Sequence, residues 1–501
     1  MISFGNKVKA GAQMTYSRRI SLLLSIQLTL SLLASCGTTP TEITEESTDG
    51  ESDTTAVESV VTEVSGVPDD LDLDGETISI WYTTESVSVA ETYVDLDPEQ
   101  TGDLLDDATF ALNRTVEENL NCTLDFYNSG VVTSETGLEV QKLMLAGDTT
   151  YDLFHVVQWN AAKYAAEGYF LNVYGAPYLS LDKPWWDGEY MSEMTVGEDT
   201  IYALVGDYAV DRTRCLDCVY YNKDMYEEFY RDGDGLYNEV LNGSWTWETL
   251  RKISSDVWSD INNDGIANRD DRLGYCINGY NNLDGLFYGS GSRVTERDED
   301  GLPVLCLNNE RVSNIIKDLY TFCYETPGVF YSGTEYTDDV ENRTHFENGN
   351  SMFLFGFFYT AEAMREMKSD YGIVPYPKYD ETQSDYISVV HDIIRIMMLP
   401  TNCTKVDAVC AVLEELSFHG YQDVLPAYYE IPMKNKYARD DVSAEMIDII
   451  RENCSTDIAY LYGDPFNGLG YIFRNTIQAK SDNFASEYAK RETAALTSME
   501  K

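Results

Sequence analysis

The sequence predicts an α/β protein with more than one domain, and three of its features support this prediction. Segments with the spacing of buried strands alternate with segments that have the spacing of amphipathic helices. Residues 151–157 form a continuous apolar run, as expected of a strand covered on both faces. The chain has 501 residues, of which 43% are hydrophobic, so it can bury a large core and divide into two or three domains.

The alternation can be followed in order along the chain. Residues 77–81 predict a first strand, and residues 124–127 and 151–157 predict the next two. Helical spacing is found in the segments 108–120, 137–146 and 161–167. This order favours parallel sheets wrapped by helices. Further on, Thr246 is expected to cap a helix that runs to about Ser259.

The composition is strongly acidic. There are 86 Asp and Glu residues against 35 Lys and Arg, for a net charge of -51. The resulting field repels nucleic acid, anionic lipid and phosphorylated substrates. The 37 tyrosines outnumber all basic residues, and a tyrosine offers an apolar face with a polar tip. This composition favours a polar, uncharged small molecule as the ligand.

Residues 1–35 have the pattern of an export signal. Basic residues precede an apolar run at 20–34, which is shorter than the ~20 residues of a membrane-spanning helix. The run ends in small residues before Cys36 and resembles the bacterial lipobox, which implies a lipid on Cys36. We therefore expect an extracytoplasmic protein anchored to the cell membrane. An ordinary signal peptide with a chance cysteine is the alternative, and Met14 is an alternative start.

Residues 36–74 predict a disordered tether. Between residues 37 and 76 there are 13 acidic residues, no Lys or Arg and no aromatic residue. Such a segment cannot bury enough apolar surface to offset the entropy of ordering it. The folded part of the protein would follow this tether.

The cysteines do not indicate a disulfide framework. Nine remain after Cys36, an odd number with irregular spacing. Cys215 and Cys218 form a single Cys-x-x-Cys pair. A local disulfide, two free thiols, and metal or redox chemistry all stay open for this pair.

Residues 260–271 have the ligand spacing of a calcium loop, because oxygen-bearing side chains stand at positions 1, 3, 5, 9 and 12 of twelve. Gly265 at position 6 permits the sharp turn that such a loop requires. The predicted ligands are Asp260, Asn262, Asp264, the carbonyl of Ile266, Asn268 and Asp271. Asp at the last position resembles the loop of dockerin modules. One complete loop in an exported protein predicts a structural Ca²⁺, and a turn that binds no metal is the alternative.

Eight further segments carry a resemblance to a known family. They are 146–153, 168–173, 200–204, 219–225, 245–250, 273–275, 346–356 and 371–377. In this order they resemble the extracellular solute-binding proteins of bacterial ABC importers, in particular the carbohydrate-type group that includes maltose-binding protein. The run Tyr220-Tyr221-Asn222-Lys223-Asp224 is the sharpest piece, and the resemblance covers most of residues 75–430.

The resemblance implies a two-lobed α/β fold of the periplasmic-binding-protein type II, with hinge-connected lobes and a ligand cleft between them. Lobe 1 would contain residues 75–206 and 380–425, and lobe 2 residues 207–379 and 426–501. A ligand that contacts both lobes would favour the closed state. The family further implies a monomer that delivers its solute to the membrane subunits of an ABC permease.

The resemblance also implies a set of cleft residues. Aromatic faces suit the C–H face of a sugar, while amides and carboxylates suit its hydroxyl groups. The implied ligand contacts are Tyr82, Thr83, Trp159, Asn160, Asp207, Tyr208, Tyr288, Phe357, Phe358 and Asp392. Trp185 and Trp186 are interpreted either as lobe packing or as part of the cleft wall.

The sequence contains no catalytic motif of a zinc protease, a serine hydrolase, a P-loop enzyme or a dinucleotide-binding enzyme. We therefore expect a binding protein and not an enzyme, with a sugar or oligosaccharide as its solute. The alternative is a secreted glycoside hydrolase with a structural calcium site, because two carboxylates across a cleft suffice for that reaction.

Overall fold

Two main β-sheets organise the part of the chain that the structure, a computed structural model, describes. The described residues are 63–85, 95–159, 164–165, 167–334, 336–432, 441–463 and 466–499. The predicted signal peptide, Cys36, most of the predicted tether and Asn160 lie outside them. From Ser65 onward the described residues form one unit.

The strands are short and are distributed over the whole unit. In chain order they are β1 Glu76–Tyr82, β2 Cys122–Asn128, β3 Leu153–Val157, β4 Asp217–Asn222, β5 Leu273–Asn278, β6 Thr295–Arg297, β7 Pro303–Leu305, β8 Val329–Gly333, β9 Ser351–Phe357, β10 Tyr371–Val374, β11 Ser388–Val389, β12 Arg395–Met398 and β13 Cys454–Ser455.

The helices include several of only one or two turns. In chain order they are α1 Leu104–Leu120, α2 Thr133–Ala146, α3 Gly188–Met194, α4 Asp211–Arg214, α5 Lys223–Tyr230, α6 Gly235–Leu241, α7 Trp247–Val257, α8 Asn281–Gly289, α9 Glu310–Glu325, α10 Tyr336–Glu347, α11 Thr360–Ala363, α12 Val406–His419, α13 Leu425–Pro432, α14 Asp441–Glu452, α15 Ile458–Leu461, α16 Ile472–Gln478 and α17 Phe484–Met499. Among the described residues, no helix is long and apolar enough to cross a membrane.

Sheet 1 has the strand order β12-β3-β1-β2. Strand β1 pairs in parallel with both β2 and β3, as the alternation of strands and helices predicts. Strand β12 pairs antiparallel with β3, although it is encoded more than 200 residues later. The chain therefore returns to sheet 1 after it has built most of sheet 2.

Sheet 2 is mixed and has the strand order β10-β4-β9-β5-β8. Strands β5, β8 and β9 run parallel, whereas β4 pairs antiparallel with both β9 and β10. Helix α7 lies so close to β5 that a Cβ on Gly274 would be 2.2 Å from the Cα of Ser254, so only glycine fits here. The side chain of Thr246 accepts a hydrogen bond from the backbone of Thr249, which confirms the predicted cap, and the helix ends at Val257.

Two connecting segments join the sheets. The first, residues 204–216, leaves sheet 1 and leads into β4, and the second, residues 390–397, leads back into β12. They run antiparallel, with bridges between Leu204 and Met397 and between Leu216 and Val390. Together they form a two-stranded connection of the kind that a hinge between two lobes requires.

A buried carboxylate fixes helix α12 to the start of the unit. Glu414 is fully buried and accepts hydrogen bonds from the indole Nε1 atoms of Trp185 and Trp186, at 3.2 and 2.8 Å. It also accepts from the backbone amides of Ser180 and Gly66, at 3.0 and 3.3 Å. Both tryptophans are buried, so they are part of the packing and not an exposed wall.

Candidate functional site

A pocket lies at the carboxyl ends of β5 and β9 in sheet 2. Its volume is about 590 Å³, including space open to solvent, and its lining includes Asn281, Asn282, Asp339, Phe357 and Tyr359. The carboxyl ends of parallel strands are the usual place for a ligand in α/β proteins, because the loops that follow the strands meet there. The pocket is therefore the candidate functional site.

Two aromatic rings form one wall of the pocket. Phe357 is the last residue of β9, and its ring stacks on that of Tyr359 with centroids 5.1 Å apart and planes inclined by 24°. The ring of His391 meets Phe357 edge-on at 4.5 Å. The guanidinium of Arg214 lies 5.7 Å from the Tyr359 centroid. The predicted residue Phe357 thus stands in an aromatic group whose other members were not predicted.

Amide and carboxylate side chains form the opposite wall. Asn278, at the end of β5, donates to Asp339 at 2.6 Å and accepts from the backbone of Tyr280, also at 2.6 Å. The Oδ1 atom of Asn282 accepts from the backbone of Asn278 at 2.8 Å. These contacts fix the start of α8 and hold the polar groups in place beside the rings. An aromatic wall that faces amides and carboxylates suits a ligand with C–H faces and hydroxyl groups.

A buried ionic group lies next to the aromatic rings. Arg474 on α16 contacts the carboxylate of Asp284 on α8 and lies 3.9 Å from Asp392. Its guanidinium is also near the ring faces of Tyr471 and Tyr280, at 4.5 and 5.6 Å. Burial lowers the pKa of Arg474 to about 9. The predicted residue Asp392 accepts a further hydrogen bond from the Tyr471 hydroxyl at 3.3 Å.

On the sheet 1 side, three predicted residues follow the strands β1 and β3. Trp159 is 38% exposed, and its ring is free to contact a ligand. Tyr82 and Thr83 are buried, and their hydroxyls donate within lobe 1, to Asp95 at 2.5 Å and to the carbonyl of Val131 at 2.8 Å. The remaining residue of this group, Asn160, is outside the described part of the chain.

Asp207 and Tyr208 lie on the first connecting segment. The Tyr208 hydroxyl donates to the carbonyl of Leu204 at 2.8 Å and accepts from the backbone of Met397 at 3.1 Å, so it ties the two connecting segments together. Asp207 is half-buried, and the loss of hydration raises its pKa to about 7. Both positions belong to the connection between the sheets.

Tyr288 and Phe358 pack in the interior of the sheet 2 side. The Tyr288 hydroxyl donates to the carbonyl of Gly470 at 2.8 Å, and its ring meets Phe473 edge-on. Phe358 is 4% exposed. Their assignment as ligand contacts, like that of the other cleft residues, stays a prediction.

The connecting segments also carry buried charge. Asp211 lies 3.8 Å from the Nε2 atom of His155 and 3.7 Å from Arg395, and all three are almost fully buried. Burial raises the pKa of Asp211, although the two nearby arginines Arg395 and Arg214 oppose this. Burial likewise lowers the pKa of His155, so the imidazole is held neutral. The group joins β3, the first connecting segment and β12 at one point.

The predicted calcium loop leads from α7 to β5 and is closed at its base by a bridge between Ser259 and Arg272. Carboxylate oxygens of Asp260, Asp264 and Asp271 lie within 4.8 Å of one another. Gly265 has φ of +76°, the conformation that the sharp turn requires. Three converging carboxylates are the hard oxygen donors that Ca²⁺ prefers, so the residues present fit the ion.

The other predicted loop ligands lie at the same place. Asn262 and Asn268 donate to Asp264 at 3.0 and 3.3 Å, and the carbonyl of Ile266 accepts from Asn268 at 2.9 Å. Calcium binding stays a prediction.

The nine cysteines of the described residues are all free thiols. Cys215 and Cys218 are buried, and burial raises the pKa of Cys218 well above its usual value. Of the alternatives open for this pair, two free thiols is the arrangement found.

Solved structures share this architecture. An ABC transporter solute-binding protein from Thermotoga lettingae TMO, bound with α-D-tagatose, matches with a TM-score of 0.54 at 14% identity, over 85% of this chain and 100% of the other. A cyclo/maltodextrin-binding protein complexed with maltotetraose matches with a TM-score of 0.55 at 11% identity, over 85% of this chain and 97% of the other.

The chain has the fold of the ABC solute-binding proteins. The predicted two-lobed α/β fold is thereby confirmed, and the structural neighbours are binding proteins. No family model and no curated protein matches the chain.

Sequence reasoning missed several residues of the site. Tyr359 lies two residues after Phe357, so a wider window on the same aromatic run would have included it. Asp217, His391 and Arg474 carry no local motif. They come together only because β4, the second connecting segment and α16 meet at one edge of sheet 2.

Proposed function

We propose that this protein is the solute-binding component of an ABC importer and that it binds a sugar or oligosaccharide. The observation that carries the proposal is the pocket at the edge of sheet 2, where the Phe357–Tyr359 pair faces amide and carboxylate groups. The sugars named with the two structural neighbours, tagatose and maltotetraose, support this class of ligand.

The proposal gives the two sheets separate roles. The pocket lies on the sheet 2 side, and Trp159 stands exposed at the end of β3 on the sheet 1 side. A ligand held by both would favour a closed arrangement about the connecting segments 204–216 and 390–397. The loaded, closed protein would then be the form that the membrane permease receives.

Anchoring belongs to the same proposal. Cys36 would carry the lipid that holds the protein at the outer face of the cell membrane, and residues 36–74 would be the tether. The strongly acidic composition is consistent with a polar, uncharged solute.

The test is isothermal titration calorimetry of the purified chain with a panel of neutral mono- and oligosaccharides that includes D-tagatose and maltotetraose. We expect micromolar or tighter binding of at least one of them. Tyr359→Ala should weaken that binding by about 3- to 10-fold through the loss of one aromatic contact. Tyr174→Ala, which removes a ring that is 57% exposed elsewhere on the surface, should leave binding unchanged.

The same incubations distinguish the binding protein from a glycoside hydrolase. After extended incubation each sugar is analysed by chromatography. Recovery of the intact sugar supports the proposal. Release of shortened oligosaccharide would contradict it in favour of the hydrolase.

We also propose that the loop at 260–271 binds a structural Ca²⁺. The convergence of Asp260, Asp264 and Asp271 supports this. Millimolar calcium should raise the melting temperature of the wild-type protein but not that of a variant that carries both Asp260→Asn and Asp264→Asn. Mg²⁺ at the same concentration is the control, since it demands a stricter octahedral geometry. An equal response of both proteins to calcium would contradict the site.

A further inference from the structure

Phe357 has two polar neighbours whose hydrogen-bonding capacity is unused. One is Asp217, the first residue of β4, which is paired with Phe357 in the ladder between β4 and β9. The other is His391, on the second connecting segment, whose ring is 4.5 Å from that of Phe357. Both lie on the backbone that joins the two sheets.

The backbone geometry places the two side chains on one face. Leu216 and Val390 form an antiparallel bridge, and the backbone amide of His391 donates to the carbonyl of Cys215 at 2.9 Å. Residues 217 and 391 are therefore diagonal neighbours on the face opposite to Leu216 and Val390. Such neighbours have Cα atoms about 7–8 Å apart, which leaves room for one small group between their side chains.

Asp217 is a buried acceptor. Its side chain is 2% exposed, and among the described residues none donates a hydrogen bond to its carboxylate. Burial, followed by the nearby charge of Asp392, raises its pKa well above the usual value. A buried carboxyl group without a partner costs free energy unless a ligand supplies hydrogen bonds to it.

His391 is a buried donor. Its Nδ1 atom accepts from the backbone amide of Ile393 at 3.0 Å, and since that amide can only donate, the proton of a neutral ring is on Nε2. Nδ1 also lies 3.1 Å from Asp392, to which a protonated ring would donate instead. Nε2 carries a hydrogen in either case. It is buried and has no hydrogen-bond partner among the described residues.

We propose that Asp217 and His391 bind two neighbouring hydroxyl groups of one sugar ring positioned beside Phe357. One hydroxyl donates to the Asp217 carboxylate, and the other accepts from Nε2–H of His391. A hydroxyl group can serve either role, so a neutral polyol satisfies both buried groups at once. This inference rests on the proposed function and deepens it, because it names the pair that selects the hydroxyl pattern.

The experiment uses the full chain and titration calorimetry with D-tagatose, maltotetraose, D-glucose, D-galactose and the cationic sugar D-glucosamine. Asp217→Asn and His391→Phe should each weaken binding of the best neutral sugar by about 10- to 100-fold, the equivalent of one unsatisfied buried partner. Asp224→Asn, on the exposed first turn of α5, is the matched control and should bind as the wild type does.

A second measurement separates contact from structural damage. Monodeoxy analogues of the best sugar are titrated into wild type and variants. The analogue that loses the hydroxyl bound by Asp217 should bind wild type weakly, but Asp217→Asn should bind it no worse than the parent sugar. A purely structural role for Asp217 would weaken both sugars in the variant by the same factor and would overturn the inference.

The remaining outcomes are also decisive. If a neutral sugar binds but both variants bind it as well as wild type does, the pair is not the subsite, and the proposed function still stands. Tenfold tighter binding of D-glucosamine than of every neutral sugar would assign Asp217 to a cation and overturn the hydroxyl pair. Absence of binding to all neutral sugars would overturn both the inference and the proposed function.

Discussion

Replacement of Glu414 by Ala should destabilise the protein severely. Glu414 is fully buried on α12 and accepts from the indole groups of Trp185 and Trp186, which are themselves 0% and 4% exposed. Each hydrogen bond to a charged group contributes about 1.5–3 kcal/mol, and neither indole can reach water in its place. The loss of both gives an expected cost of about 3–6 kcal/mol. The amides of Ser180 and Gly66 add less, because they lie nearer to solvent.

Urea denaturation followed by tryptophan fluorescence measures this cost, since two of the reporting tryptophans are the partners of Glu414. The midpoint should fall while the dependence on urea concentration stays unchanged. Glu445→Ala, which removes an exposed glutamate from helix α14, is the control and should shift stability by less than about 0.5 kcal/mol. A loss below about 1 kcal/mol for Glu414→Ala would refute the reasoning, because the indoles would then have found other partners.

Three further predictions follow from the site and the connecting segments. Asp207 has its pKa raised to about 7 in the folded state, so its contribution to stability falls as the pH rises from about 4 to 7. Asp207→Asn should therefore gain about 1–3 kcal/mol relative to wild type when unfolding is compared at pH 8 and pH 5, and an equal difference at both values would contradict this. Arg474→Gln leaves Asp284 buried without its cation and should cost about 3–5 kcal/mol in urea denaturation, whereas unchanged stability would show that the pair is dispensable. Gly420→Ala would bring a Cβ to 1.8 Å from the carbonyl oxygen of Asp207 and should cost about 1–3 kcal/mol or more, which thermal unfolding would detect; a wild-type melting temperature would exclude the close approach.

Local patterns predicted much of sheet 1. Each of the strands β1, β2 and β3 was predicted within a few residues, because each is an apolar run bounded by helical spacing or turns. Thr246 announced its helix through a cap that depends on adjacent residues only. The alternation of strands and helices suggested parallel pairing, and this holds for β1, β2 and β3.

The antiparallel members of the sheets could not be predicted in this way. Strand β12 pairs with β3 across more than 200 residues, and no spacing within either segment records that partner. The same limit applies to the site. Phe357 follows a recognisable strand and was predicted, whereas Asp217 and His391 are ordinary residues until the bridge between Leu216 and Val390 places them together.

The late position of β12 has a consequence for how the chain acquires its structure. Until residue 398 has been synthesised, the edge of β3 that β12 will cover is open, and an unpaired edge is a template for association with other chains. Pairing over such a distance closes a long loop and slows folding. An export pathway that keeps the polypeptide extended until almost all of it has emerged would protect that edge, and truncation anywhere before β12 should yield aggregates in place of a smaller folded lobe.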